Sequence, residues 1–203
     1  MMKKLLYYCL IIISFFTTQS LLAQDSIVGK KRGIIPDYIN FQLAGNIGSG
    51  SVGAGYFLNP ARSLCLDGIY GYSPAFRTGR AIHNIVLRLS YYPYAFDLPR
   101  NYTLRPLVSF AISKQIADGD RTFSRLPKNF PEGYYAPNAF RLHFDLGIAL
   151  KRDLSKTRFI KAVELYANTT TNEMYITYYF RSKTVTFTDI FSLAIGINLH
   201  LFE

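Results

Sequence analysis

From Phe191 to Leu201 every second residue is large and apolar: Phe191, Leu193, Ile195, Ile197, Leu199 and Leu201. The residues between them are Ser192, Ala194, Gly196, Asn198 and His200. A period of two is a strand with one greasy face and one small or polar face. In a soluble sandwich the greasy face would point inward. Here the chain also opens like an exported protein, and other segments repeat the alternation. Together these features predict a barrel turned inside out, with lipid outside and a polar lumen.

The chain of 203 residues has no visible internal repeat and is read as one domain. Met1-Met2-Lys3-Lys4 is a positive start, Leu5 to Phe16 is an apolar run, and Ala23 follows Leu21 at cleavage-site spacing. Residues 1–23 are therefore expected to be a secretory signal peptide. The apolar run is too short for a spanning anchor, which needs ~20 residues, and no later run reaches that length. Residues 24–38 read as a flexible periplasmic segment with a basic cluster, Lys30-Lys31-Arg32, and residues 39–203 as the barrel. Loss of the signal removes Cys9 and leaves Cys65 alone, so no internal disulfide is expected. Loss of Lys3 and Lys4 lowers the formal charge from +10 to +8. With no nucleic-acid motif, that charge points instead to outer-membrane lipid and lipopolysaccharide as partners. Sixteen Tyr and sixteen Phe with no Trp suit strands and interfacial girdles.

Eight strands are predicted. The first covers about 39–48, with Phe41, Leu43 and Ile47 on one face, and the second about 51–58, after a tight turn at Gly48-Ser49-Gly50. The third covers about 63–73, with Cys65 and Asp67 inward. The fourth, about 81–92, places Arg88 in the middle of a greasy strand. A lipid-facing barrel forces that arginine into the lumen. The fifth runs from about 104 to 117, its start weakened by Pro106. The longest loop, 118–137, then leads to the sixth, about 138–151. The last two, about 159–180 and 184–202, form one long hairpin projecting above the membrane, with a bulge near Thr169–Asn172 where the parity changes. A ten-stranded barrel with an extra tight hairpin is the alternative.

Arg141, His143 and Asp145 share one face of the sixth strand, about 7 Å apart at steps of two. Glu164 and Tyr166 point inward from the seventh. With Arg88 they are read as a lumenal polar network, since an eight-stranded barrel is only wide enough for side chains to fill it and buried charges must pair. Acid–base chemistry among the same residues is the competing reading. No metal spacing, nucleophile elbow or phosphate loop is present, and no cofactor is expected. Lipid A deacylases carry a His-x-Ser pair, yet the histidines here read His83-Asn84-Ile85, His143-Phe144-Asp145 and His200-Leu201-Phe202. Palmitoyl-transferring barrels need a loop histidine with Asp and Ser and a lipid-sized interior, and His83, which follows the second outer loop, could serve as that histidine.

The segments Gln42-Leu43-Ala44-Gly45-Asn46-Ile47-Gly48, Ser51-Val52-Gly53-Ala54-Gly55-Tyr56 and Gly196-Ile197-Asn198-Leu199-His200-Leu201-Phe202 resemble small Gram-negative outer-membrane β-barrel proteins of the OmpA/OmpX-like kind. Such chains usually end in an aromatic residue, whereas here Phe202 is penultimate and Glu203 last. The resemblance implies a single antiparallel up-and-down transmembrane barrel in the outer membrane. The expected role is non-catalytic: a structural or accessory subunit with outer-membrane protein partners and a lumen that does not conduct. The rivals are a lipid A-modifying barrel enzyme and a soluble, lipocalin-like binder of an apolar ligand.

Overall fold

The computed structural model describes residues 35–117, 122, 139–154 and 159–201. The expected signal peptide, the basic lead-in, nearly all of the longest loop and the Phe202-Glu203 end lie outside the described residues. The strands are β1 (Tyr38–Ala44), β2 (Gly50–Phe57), β3 (Leu64–Ser73), β4 (Ile82–Tyr91), β5 (Phe96–Leu98), β6 (Tyr102–Ala117), β7 (Phe140–Asp153), β8 (Ala162–Asn172) and β9 (Ser192–His200). They form one antiparallel sheet in the order β4-β3-β2-β1-β9-β8-β7-β6-β5. A further β4–β6 ladder closes eight of them into a barrel and leaves β5 outside the ring. Closure removes the unpaired edges that an open sheet would carry. The eight-strand reading is correct, and the extra strand is a three-residue hairpin arm, not the ninth and tenth staves of a larger ring.

Burial alternates with the expected phase. Leu87 is 56 % exposed while Arg88 beside it is 5 % exposed. Leu146, Ile148, Leu193 and Ile195 point outward, and Asn40, Asp67, Glu164 and Asn198 point inward. The lumen is not uniformly polar. Tyr38, Cys65, Tyr92, Leu107, Ala149 and Tyr166 form one apolar cluster. Ile47, Ile69, Val86 and Ala111 form another. Ile47 was expected on the outer face of the first strand. Instead β1 ends at Ala44, and the following turn uses positive φ at Ala44 (60°), Gly45 (77°) and Gly48 (152°) to fold Ile47 into the barrel mouth. Gly71 makes this possible, because a Cβ there would strike the Ile47 carbonyl.

Two aromatic residues fill the lumen only because glycine lies opposite. Tyr38 pairs with Gly55 and Tyr166 with Gly196. A Cβ at either glycine would overlap the tyrosine ring. The barrel begins earlier than expected: Tyr38 is the first residue of β1, and the Asp37 carboxylate accepts from Phe57 N at 2.8 Å. Pro106 lies inside β6, opposite Ile148. It is tolerated because the other side of β6 is interrupted there, with β5 pairing only as far as Leu104 and β4 pairing from Val108.

The projecting hairpin is the main correction. The β8–β9 ladder runs only from Ala162↔His200 to Thr170↔Ser192. Beyond it the chain forms helix α2 (Glu173–Arg181) and a 3-10 turn (Phe187–Ile190), while a shorter helix α1 (Ala75–Thr78) joins β3 to β4. The change of parity after Ala167 therefore marks a helix start and not a bulge. Asn172 caps it, its side chain accepting from Tyr175 N at 2.9 Å. Glu173 in the first turn and Arg181 in the last complement the helix dipole. Glu173 also clamps the helix to β7, accepting from Leu142 N at 2.8 Å and Arg141 Nη1 at 3.1 Å.

Candidate functional site

The lumen holds one connected polar chain. Tyr38 Oη donates to Asp67 Oδ1 at 2.5 Å, and Arg88 Nε donates to Asp67 Oδ2 at 3.1 Å. Arg88 Nη1 continues to Gln42 Oε1 at 3.0 Å, which also accepts from Tyr166 Oη at 3.0 Å. Asn40 Nδ2 donates to Tyr166 Oη at 2.8 Å and to Asn198 Oδ1 at 2.6 Å. Asn198 Nδ2 then reaches Glu164 Oε1 at 2.7 Å. Glu164 is further held by Tyr92 Oη at 3.1 Å and by the Arg105 guanidinium at 3.3 Å. Arg105 lies flat over the Tyr92 ring, 3.6 Å from its centroid. Residues from β1, β3, β4, β6, β8 and β9 are thereby tied across the barrel interior.

Of the six residues expected to interlock, Arg88, Glu164 and Tyr166 join this chain. The other three do not. Asp145 accepts from Ser109 Oγ at 3.2 Å, His143 Nε2 meets Ser113 Oγ at 2.7 Å, and Arg141 pairs with Glu173 at the helix end. The expected pairing of Arg88, Arg141, Asp145 and Glu164 with one another is replaced by Arg88–Asp67, Arg105–Glu164 and Arg141–Glu173. Arg105 was the residue most clearly missed. Its parity matches Ser109, Ala111 and Ser113, alternating with Val108, Phe110 and Ile112, but the neighbouring Pro106 obscured the strand.

The Ser113–His143 contact has the look of a nucleophile–base pair. Its surroundings do not support that chemistry. His143 Nδ1 has no hydrogen-bond partner, so no carboxylate orients the ring as a triad requires. Both residues are about 1 % exposed. The cavity within the lumen beside Arg88 and Asp145 is only about 10 Å³. Among the described residues no group of three or more His, Cys, Asp and Glu side chains could hold a metal ion.

One larger hollow, about 320 Å³, opens at the barrel end that carries the first and last residues of the ring. Arg62, Arg105, Lys151 and His200 line it together with Phe57 and Tyr92. His200 stacks on Phe57 at 5.8 Å, and its Nε2 lies 4.0 Å from Glu164 Oε1. Both of its ring nitrogens lack hydrogen-bond partners. The opposite end carries α2 and an exposed aromatic group. Tyr179 meets Phe180 at 5.4 Å and Phe187 at 6.1 Å, and Phe187 meets Phe191 at 4.9 Å.

No family model, curated protein or solved structure matches this chain.

Proposed function

We propose that this chain is an integral outer-membrane β-barrel of the OmpX-like kind, and that it serves as a non-catalytic structural or accessory subunit of a larger outer-membrane assembly. The observation that carries the reading is the inverted wall. Large apolar side chains face out on every barrel strand while Arg88, Arg105, Asp67 and Glu164 are buried inside. Such a wall exposed to water would be a severe aggregation hazard, whereas it matches the hydrocarbon of a bilayer. No helix among the described residues is long and apolar enough to cross a membrane.

The connections support an orientation. At one end of the ring the connections 58–63, 92–101 and 154–161 span at most ten residues, and at the other end 118–139 and 173–191 are far longer, beside the short 45–49 and 74–81. Long loops face outward from the cell and short turns face the periplasm in barrels of this type. The helix α2 and its aromatic companions then form an outer platform suited to a protein partner. The interlocked lumen supports a plug without ion conduction. The cavity beside Arg88 and Asp145 is far smaller than the interior a lipocalin-like binder needs.

The test is a mild-detergent pull-down of the tagged protein from outer membranes, followed by mass spectrometry. A defined, stoichiometric partner set is the expected result. A lone monomer, together with altered lipid A mass that disappears on replacing His83 by Ala, would overturn the accessory role in favour of lipid A chemistry.

A further inference from the structure

The outer wall is not smooth. Between β2, β3, β4 and β6 lies an apolar dent of about 770 Å³. It exists because two outward positions are small, Ala54 and Gly68, which pair directly across β2–β3. A Cβ built on Gly68 meets nothing within 4 Å, so the glycine faces open space. Leu87, Ile85 and Ile112 form the sides. One residue pair along the strands, toward the long-loop end, stands Lys114, opposite Ile85 and Phe140. Among the described residues Lys114 makes no ion pair, and its ammonium lies 6.0 Å from the Phe140 ring centroid. Beside it Tyr70 Oη and His83 Nδ1 are hydrogen-bonded at 2.6 Å on the same outer surface.

An unpaired cation on a wall of leucine and isoleucine is costly in hydrocarbon unless its head reaches the interface and an anion. An apolar trough with a single cation at its upper end is complementary to an amphiphile: a chain below, an acidic head above. We infer that this dent is a binding site for a phosphorylated glycolipid of the outer leaflet. One acyl chain lies over Gly68 and Ala54, the phosphate meets Lys114, and the sugar hydroxyls are within the range of Tyr70 and His83. A second copy of the chain is a poorer occupant, since two-fold pairing of this face would bring Lys114 toward its own equivalent. The inference rests on the outer-membrane reading and its orientation.

The test is native mass spectrometry of the mature full-length protein released from detergent. It is presented separately with bisphosphorylated lipid A, phosphatidylglycerol and phosphatidylethanolamine. Retention of lipid A over both phospholipids is expected. Lys114→Gln should weaken it about fivefold, the effect of one basic residue at an anionic lipid surface. Gly68→Leu, which fills the trough from the outside and leaves the lumen untouched, should weaken it by a similar factor, and Ile148→Leu on the far wall should not change it. Each variant is first checked for the heat-sensitive gel migration of a folded barrel. Equal retention by wild type, K114Q and G68L would overturn the site. Preference for phosphatidylglycerol would overturn the glycolipid in favour of an anionic phospholipid. A wild-type protein that does not insert into liposomes would instead overturn the outer-membrane reading itself.

Discussion

Leu87 and Arg88 are chain neighbours, yet they obey opposite rules. On the outer wall most side chains are large and apolar. Leu87, Leu146 and Ile195 are alike in chemistry and more than half exposed. On the inner wall each polar atom must find a particular mate: Arg88 needs both Asp67 and Gln42, and Glu164 needs Asn198, Tyr92 and Arg105. The contrast teaches that tolerance in this molecule is set by face and not by depth along the strand. The outer face is apolar save for charges such as Lys114, whereas the inner face gives its buried arginines and carboxylates particular partners.

Four measurements would break or sharpen that contrast. The largest effect is expected from Glu164→Ala, which strands the Arg105 guanidinium and removes the acceptor of Tyr92 and Asn198. Breaking a buried pair in this way costs about 3–5 kcal/mol, readable as a lowered urea midpoint for the protein refolded in liposomes. A change as small as that of an exposed ion pair would mean that the lumen is wet and loosely held. Leu87→Arg follows, at about 2–4 kcal/mol if the site lies near the bilayer midplane. The same change would be almost silent if that wall faced water, so it also decides the solvent.

Smaller effects belong to the cap region, which follows neither rule. Asn172→Ala removes the helix cap and should cost about 1 kcal/mol, confined to α2. Faster amide exchange at Tyr175 with unchanged exchange in β8 is the expected pattern, and equal loosening of both would tie the cap to the barrel fold. The last is a pH effect. Hydrogen bonds from Thr186, side chain and backbone, hold the Asp189 carboxyl below its ordinary range. A depressed carboxyl stabilises the folded form fully above its unfolded pKa and loses that contribution as pH falls through the folded value. The 3-10 turn should therefore hold at neutral pH and loosen only under strong acid. Thr186 amide exchange that does not change on acidification would refute this.

Much of the barrel was legible because alternation is a one-dimensional signal. Arg88 between Leu87 and Leu89, or Asn198 between Ile197 and Leu199, declares its face without any knowledge of neighbours. Partnership across strands is not carried that way. Asp145 and Ser109 meet because β6 and β7 are in register at that row, and nothing within either strand specifies the row. The stretch Glu173–Arg181 misled for a different reason. Its tyrosines, isoleucine, threonine and phenylalanine favour strand, but a capping asparagine and a glutamate bonded to β7 override a weak local preference. Ile47 deceived in the opposite sense, since its parity fitted a strand that had already ended.

The tyrosines set against glycine have a consequence for how the ring is zipped shut. A one-residue slip between strands would invert every side chain and is forbidden by the greasy–polar pattern. A two-residue slip is invisible to that pattern, because inside remains inside. Sliding β9 by two past β8 would set Tyr166 against Asn198 or Ala194, where a side chain occupies the space that Gly196 leaves for the ring. Sliding β2 by two past β1 would likewise take Gly55 away from Tyr38. These two pairs flank the β1–β9 seam and act as index marks, letting the last strand engage the first in only one of the alignments that the greasy–polar pattern would accept.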